Sequence, residues 1–295
     1  MVNGGKVNTQ GVEIILGAVP IKTDNLKWNT TFNFAKNRSV IKDLPQEGGR
    51  LTLAYSRIYD SANQTVFFQV EKGGRIGDMY GTGYLKNDKG EFILTSAGNY
   101  IADNNLIKIG NYNPDFTLGW SNNFNYKNWN LGFLLDWRQG GEIVSRTRAL
   151  GNVGGQLAET SYRPSEGIVA QGVINTGTAT NPIYTPNTTA ISAENYYRQY
   201  YDRNHEENNV YDASFLKLRQ FSVGYSFKIK EGFVGLKNTA AFNASIIGNN
   251  LFAFTQNPHF DPEQLAVQGN GFVSGVEDMS YASSRSIGFK LGVTF

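Results

Sequence analysis

The sequence predicts an all-β protein: an antiparallel transmembrane β-barrel, incomplete, with long extracellular loops. Three observations predict it. Seven segments alternate with a period of two between large apolar or aromatic residues and small or polar ones, as the opposite faces of a strand require. The connections between them are alternately short and long, as in outer-membrane barrels. The last eleven residues, 285–295, hold the alternation to a terminal aromatic, which marks a closing strand.

Each segment is expected near the following positions. The first, 10–21, is apolar apart from Glu13 and Gly17 beyond residue 11, so its facing is open. In the second, 25–36, Leu26, Trp28, Phe32 and Phe34 oppose Lys27, Asn29, Thr31 and Asn33. The third, 113–126, sets Phe116, Leu118, Trp120, Phe124 and Tyr126 against Thr117, Gly119, Ser121, Asn123 and Asn125. The fourth, 129–143, sets Trp129, Leu131, Phe133, Leu135 and Trp137 against Asn130, Gly132, Asp136 and Arg138, with Leu134 out of pattern. In the fifth, 213–229, Phe221, Val223, Tyr225 and Phe227 alternate cleanly, but Leu216 and Leu218 are in the opposite phase, which implies a bulge or a change of environment. The sixth, 238–252, is weaker, with Phe242, Ala244 and Ile246 against Asn243 and Ser245. The seventh, 283–295, carries Phe289, Leu291, Val293 and Phe295 on the apolar side, the candidate assembly strand.

Residues 22–25, 127–128 and 230–237 read as short turns, and 37–112, 144–212 and 253–282 as long connections. Within the long ones, Val66-Phe67-Phe68 and Phe92-Ile93-Leu94 read as cores of extra hairpins. Residues 192–203 read as a short helix capped by Ser192, and 174–189, rich in Thr, Asn, Gly and Pro, as irregular.

A soluble β-sandwich that binds carbohydrate through loop aromatics is the alternative, because it also buries one face of each strand. Two details favour the membrane. The polar faces carry mainly Gly, Ser, Thr and Asn. The aromatics sit near strand ends: Trp129 and Trp137 lie eight residues apart. That spacing is about 26 Å of strand at ~3.3 Å per residue, or roughly 20 Å along the normal at a tilt of about 40°. Trp28, Tyr126, Trp129 and Trp137 are thus candidates for an aromatic girdle. Mean hydropathy is −0.37 and no run reaches the length of a membrane helix. The 295 residues contain no cysteine, which excludes thiolate chemistry, and a net charge of +2 gives no reason to invoke nucleic acid. No apolar signal segment follows Met1. Seven spanning strands, with no partner for the first, imply the C-terminal part of one larger barrel domain over residues 1–295.

Several motifs stand in one order along the chain. They are Asn3-Gly-Gly-Lys-Val-Asn-Thr-Gln-Gly-Val-Glu13, Asn113-Pro-Asp-Phe-Thr-Leu-Gly-Trp120, Asp136-Trp-Arg-Gln-Gly-Gly141, Asp212-Ala-Ser-Phe-Leu-Lys-Leu-Arg219 with Val223-Gly-Tyr225, Gly248-Asn-Asn-Leu-Phe252, Phe260-Asp-Pro-Glu263 and Arg285-Ser-Ile-Gly-Phe289. In these motifs the chain resembles the SusC/RagA family of TonB-linked outer-membrane transporters over nearly its whole length. The resemblance implies a 22-stranded barrel with a plug, import of oligosaccharides or peptides, a SusD-like surface lipoprotein as lid, and energy from the TonB complex through an N-terminal part. The plug and N-terminal extension have no counterpart in these residues.

No cofactor, metal or enzymatic constellation is expected. His205 and His259 sit in loops beside acidic residues, where solvation explains them. Asp202, Asn204 and Glu206 have the spacing of a calcium loop, but Glu207 stands where a turn needs Gly and Ala213 where a bidentate Glu is needed. Gly73-Gly-Arg-Ile-Gly77 lacks the spacing of a phosphate loop. Asp136, Arg138 and Asn243 are expected toward the lumen by parity. Tyr196, Tyr197, Tyr200 and Tyr201 share a helical face that either contacts substrate or lid, or packs on neighbouring loops.

Overall fold

The computed structural model describes residues 5–45, 49–57, 65–202, 205–229, 240–257, 259–268 and 271–294. Seven strands form one antiparallel sheet: β1 (Lys6–Lys22), β2 (Leu26–Asp43), β3 (Phe116–Tyr126), β4 (Trp129–Gln139), β5 (Phe215–Ile229), β6 (Ala240–Thr255) and β7 (Ser286–Thr294). Each pairs with its neighbour in chain order, and β1 and β7 do not pair with each other, so the sheet is an open arc of a barrel.

Register puts the apolar residues in continuous rows. One row crosses all seven strands as Ile21, Trp28, Phe124, Leu131, Val223, Ile246 and Phe289. Another holds Phe34, Leu118, Trp137, Leu216 and Phe254. This answers the facing of β1, where Val12, Ile14 and Leu16 share the side of Phe34 and Phe32. It also explains the phase change in β5. Leu218 pairs with Leu135 and Gln220 with Leu134, so Arg219 is an extra residue that returns Leu216 and Leu218 to the face of Phe221.

That face is uncovered. Phe289 and Leu291 are 81% and 82% exposed, Leu16 61% and Trp129 52%. A sandwich would bury these side chains against a second sheet, so the soluble alternative fails here. Their natural solvent is hydrocarbon.

Strand ends depart from expectation where local geometry dictates. β4 stops at Gln139 rather than 143, because Gly140 and Gly141 have φ of 75° and 83°, outside the strand region. The residues beyond, Glu142–Ser145, join a different sheet. β6 runs on to Thr255 past an irregularity at Asn250, whose φ is 51°. β3 and β5 begin at Phe116 and Phe215, and β7 at Ser286; Phe295 lies outside the described residues, as does the turn 230–237. β2, with 18 residues, is far longer than predicted. At ~3.3 Å per residue and about 40° of tilt it rises roughly 45 Å, against an apolar band of ~25 Å, so its outer half stands above the membrane.

The three long connections are not separate loops. They build one body at the outer end of the sheet. The first contributes a four-stranded sheet in the order Leu51–Arg57, Thr65–Val70, Asp78–Tyr84, Ala102–Asn111. The second contributes Glu142–Ser145, which pairs antiparallel with Val210–Asp212 and parallel with Val276–Glu277 of the third. A core of Val66, Met79, Val144, Ala266 and Val276 takes residues from all three connections and is almost wholly dry. Residues 174–189, expected to be irregular, carry the short paired strands Val173–Asn175 and Tyr184–Pro186. The helix Ala193–Tyr200 forms with Ser192 as its cap, accepting from the Asn195 N–H.

Candidate functional site

The face of the sheet opposite the aromatic rows holds a network of paired charges. On β4 and β5, Asp136 and Lys217 are direct partners. The Arg219 guanidinium, turned to this side by the bulge, donates to Asp136 Oδ2 through Nε at 2.8 Å and Nη2 at 2.7 Å, and also reaches Glu263. Lys217, 3% exposed, is held between Asp261 and Glu263 of the third connection. These five residues form an ionic clamp that ties the third connection to the inner wall. Burial alone would raise both acidic groups. Hydrogen bonds from Arg219 and Lys217 outweigh it for Glu263, as the Lys217 bond does for Asp261, and both pKa values fall below the ordinary value.

Arg138 lies on the same inner face, opposite Thr117 and Phe215, and its Nη2 donates to the Tyr112 carbonyl at 2.6 Å. It thus holds the end of the first connection rather than standing free. Asn243 sits lower on the inner face and accepts from Ser226 Oγ at 2.5 Å. A cleft of about 520 Å³ opens where the tops of β3 and β4 meet the outer body, lined by Arg75, Asn113, Asp115, Gln139, Glu142 and Tyr211 among others. A second cavity of about 280 Å³ lies under the third connection, lined by Thr255, His259, Asp261, Glu277 and Tyr281 among others. Amides, carboxylates, guanidinium and phenol in this mixture can hydrogen-bond a polar solute.

The tyrosine face is divided. Tyr196 and Tyr200 stack on each other at 5.7 Å and pack on the cluster of Tyr84, Leu94, Tyr100 and Ala170, while Tyr197 is buried and donates to the Tyr162 carbonyl at 2.9 Å. Tyr201 is half-buried and lies edge-on to Tyr200 at 4.8 Å. These rings join the first and second connections together. His205 stacks on Tyr84 at 4.7 Å and bonds Asp202 at 3.1 Å; His259 lies 3.5 Å from Glu159. Glu206, whose spacing from Asp202 and Asn204 is that of a calcium loop, is fully buried and paired with buried Arg146. Burial pushes its carboxyl up to about 7 against the opposing pull of Arg146. Asn204 lies outside the described residues, among which no cluster of three metal-ligating side chains occurs.

Among the girdle candidates, Tyr126 and Trp129 pair across the β3–β4 turn, and Trp129 meets Tyr225 edge-on at 4.8 Å. Trp137 packs on Phe116 at 5.0 Å near the other end of the strands. Trp28 differs. It stacks on Phe124 at 5.3 Å and donates its indole N–H to Asn122 Oδ1 at 2.9 Å, inside the sheet face. Trp120 likewise donates to Thr30 Oγ1 at 2.8 Å. Thr30 and Asn122 are direct partners on the membrane side, and the two indoles donate to their side-chain oxygens there.

Sequence reasoning missed Lys217, Arg219, Asp261 and Glu263 as a unit. The broken phase at residues 216–221 was the one available signal for Arg219. The buried Arg146–Glu206 pair, and Glu277 accepting from Ser145 and Thr147, left no pattern at all because the partners lie far apart in sequence, the first pair at opposite ends of the second connection and the others on the second and third connections.

An open arc of antiparallel strands with an uncovered aromatic face, capped outside by interlocked connections, defines a segment of an outer-membrane barrel. Comparisons with known proteins narrow the class. No family model matches the chain. It is similar to TonB-dependent receptors P39 and P3 of Formosa agariphila, with 25% and 26% identity over 99% of this chain. The matches cover 31% and 29% of those receptors, so the chain spans about a third of their length. Among solved structures, the RagAB peptide importer in its closed-closed state matches with a TM-score of 0.59, 17% identity, 99% of this chain and 30% of that chain. The same importer in its open-open state gives 0.56 and 16%. The fold is that of a SusC/RagA-type TonB-dependent receptor barrel, and its place is the outer membrane.

Proposed function

We propose that this chain is the C-terminal wall of a barrel domain in a TonB-dependent importer of oligosaccharides or peptides. The inner face and the outer body line the route of the solute. A SusD-like lipoprotein closes the mouth as lid, and the TonB complex acts through the N-terminal plug part of the same receptor. The wall carries no reaction and is not an enzyme. The observation that supports this most is the outer body itself: three connections share one core, the third is clamped to the inner wall by Lys217 and Arg219, and a polar cleft opens between the strand tops and the first and second connections.

Uptake tests the reading. Cells carrying the receptor that contains this chain should take up a labelled oligosaccharide or peptide pool, and uptake should stop when the proton gradient is collapsed or TonB is removed. Uptake that persists without TonB would refute it, as would a receptor that releases chemically altered solute.

A further inference from the structure

The outer end of the β1–β2 hairpin carries a feature that import does not use. On the membrane side of β2, Trp28, Thr30, Phe32 and Phe34 are followed, two residues at a time, by Lys36 and Arg38. Register is unbroken from Thr30 to Arg38: Phe34 pairs with Ile14, Lys36 with Val12 and Arg38 with Gln10. The two cations therefore stand on the same face as the aromatic rows, directly beyond them, about 6.6 Å apart along the strand. This end is the outer one, since the turn 23–25 closes the hairpin at the other end and the long connection leaves from this one.

Both side chains are exposed. Neither makes an ion pair or hydrogen bond with another described residue. Their neighbours on this face, Asn8, Gln10, Val12 and Val40, carry no carboxylate, and Glu13 pairs with Ala35 on the inner face. The inner end is different: Lys22 and Lys27 pair with each other on the face away from Trp28. Lys36 and Arg38 thus stand where hydrocarbon gives way to outer-leaflet headgroups. Two like charges side by side repel, and an anion between them removes that penalty. Arg offers a planar fork matched to phosphate, and Lys a compact second charge.

We propose that Lys36 and Arg38 form a binding site for the phosphate groups of an anionic glycolipid of the outer leaflet. Phe32, Phe34 and Ile14 lie against its acyl chains. The site would fix annular lipid on the β1–β2 wall, independently of which solute is imported.

The test uses the assembled receptor extracted in mild detergent, with native mass spectrometry to count bound lipid A. The double variant Lys36→Gln/Arg38→Gln should bind phosphorylated lipid A about 30-fold more weakly, the effect of two interfacial charges. The charge-preserving Lys36→Arg/Arg38→Lys and the inner-end control Lys22→Gln/Lys27→Gln should bind within about twofold of wild type on the same scale. Lipid A stripped of phosphate should bind wild type as weakly as phosphorylated lipid A binds the double variant, and inorganic phosphate should fail to displace the lipid. Unchanged binding by the double variant, equal binding of stripped lipid, or displacement by inorganic phosphate would each overturn the proposal. Should the double variant not assemble, Lys36→Gln alone should weaken binding about fivefold, and no change would count equally against it.

Discussion

Replacing Lys217 by Met isolates the ionic clamp. The side chain is 3% exposed and sits between Asp261 and Glu263. Met keeps the stem and its packing against β5 but removes the charge. Glu263 retains Arg219, whereas Asp261 loses its cation while still largely enclosed. Breaking a buried pair by removing one partner costs about 3–5 kcal/mol. With one of the two carboxylates still paired, the lower figure applies, about 3 kcal/mol. At 1.4 kcal/mol per decade, that raises the population with the third connection detached by about 100-fold. Hydrogen exchange in detergent would read it: amides at residues 261–268 should exchange about 100-fold faster, while those of β3 and β4 stay as slow as before. Lys217→Arg should retain most of the protection. Unchanged exchange in Lys217→Met, or equal damage from Lys217→Arg, would refute the clamp.

Three further outcomes follow from the geometry. Leu131→Arg and Phe289→Arg should each block membrane assembly, at about 2–4 kcal/mol near the midplane, whereas Gly132→Ser on the inner face should be mild, since the one close contact of its new Cβ is the rotatable Ser222 hydroxyl; equal folding yields in lipid vesicles for all three would reverse the facing. Thr30→Val should strand the Trp120 indole N–H in the membrane face and lower stability by about 1–3 kcal/mol, read as a shift of the urea midpoint in vesicles; an unmoved midpoint would show that the bond contributes nothing. The depressed pKa values of Asp261 and Glu263 mean that the folded state holds their protons less tightly than the unfolded chain. Their stabilisation is therefore present above the ordinary carboxylate range and is lost as pH falls through the folded values. Protease cleavage near residues 259–268 should be slow at pH 7 and rise only below about pH 4; a rise between pH 5 and 7 would assign the lability to another group.

Much of the sheet can be read from the chain because a strand in lipid obeys a strict period. Leu131, Phe133 and Leu135 alternate with Gly132 and Asp136, and slipping that pattern by one residue would send the whole row to the wrong solvent. The connections obey no such period. Their core residues come from three stretches far apart in sequence, and no local pattern tells Val66 to meet Val144 and Val276. Trp28 shows the same limit within the sheet: spacing alone makes it an interfacial anchor, while its actual partner, Asn122, is found only once β2 and β3 are in register.

From its sequence alone, this protein is bound to an antiparallel sheet with one face for hydrocarbon and a long, polar outer side. That much follows from alternation and turn length, which act over a few residues. Tertiary structure alone decided that the outer side is a single body, that a bulge at Arg219 turns a guanidinium inward, and that Lys217 and Arg219 close on Asp261 and Glu263. Those contacts depend on long-range closure, and a buried charge is tolerable only where distant segments deliver its counter-charge.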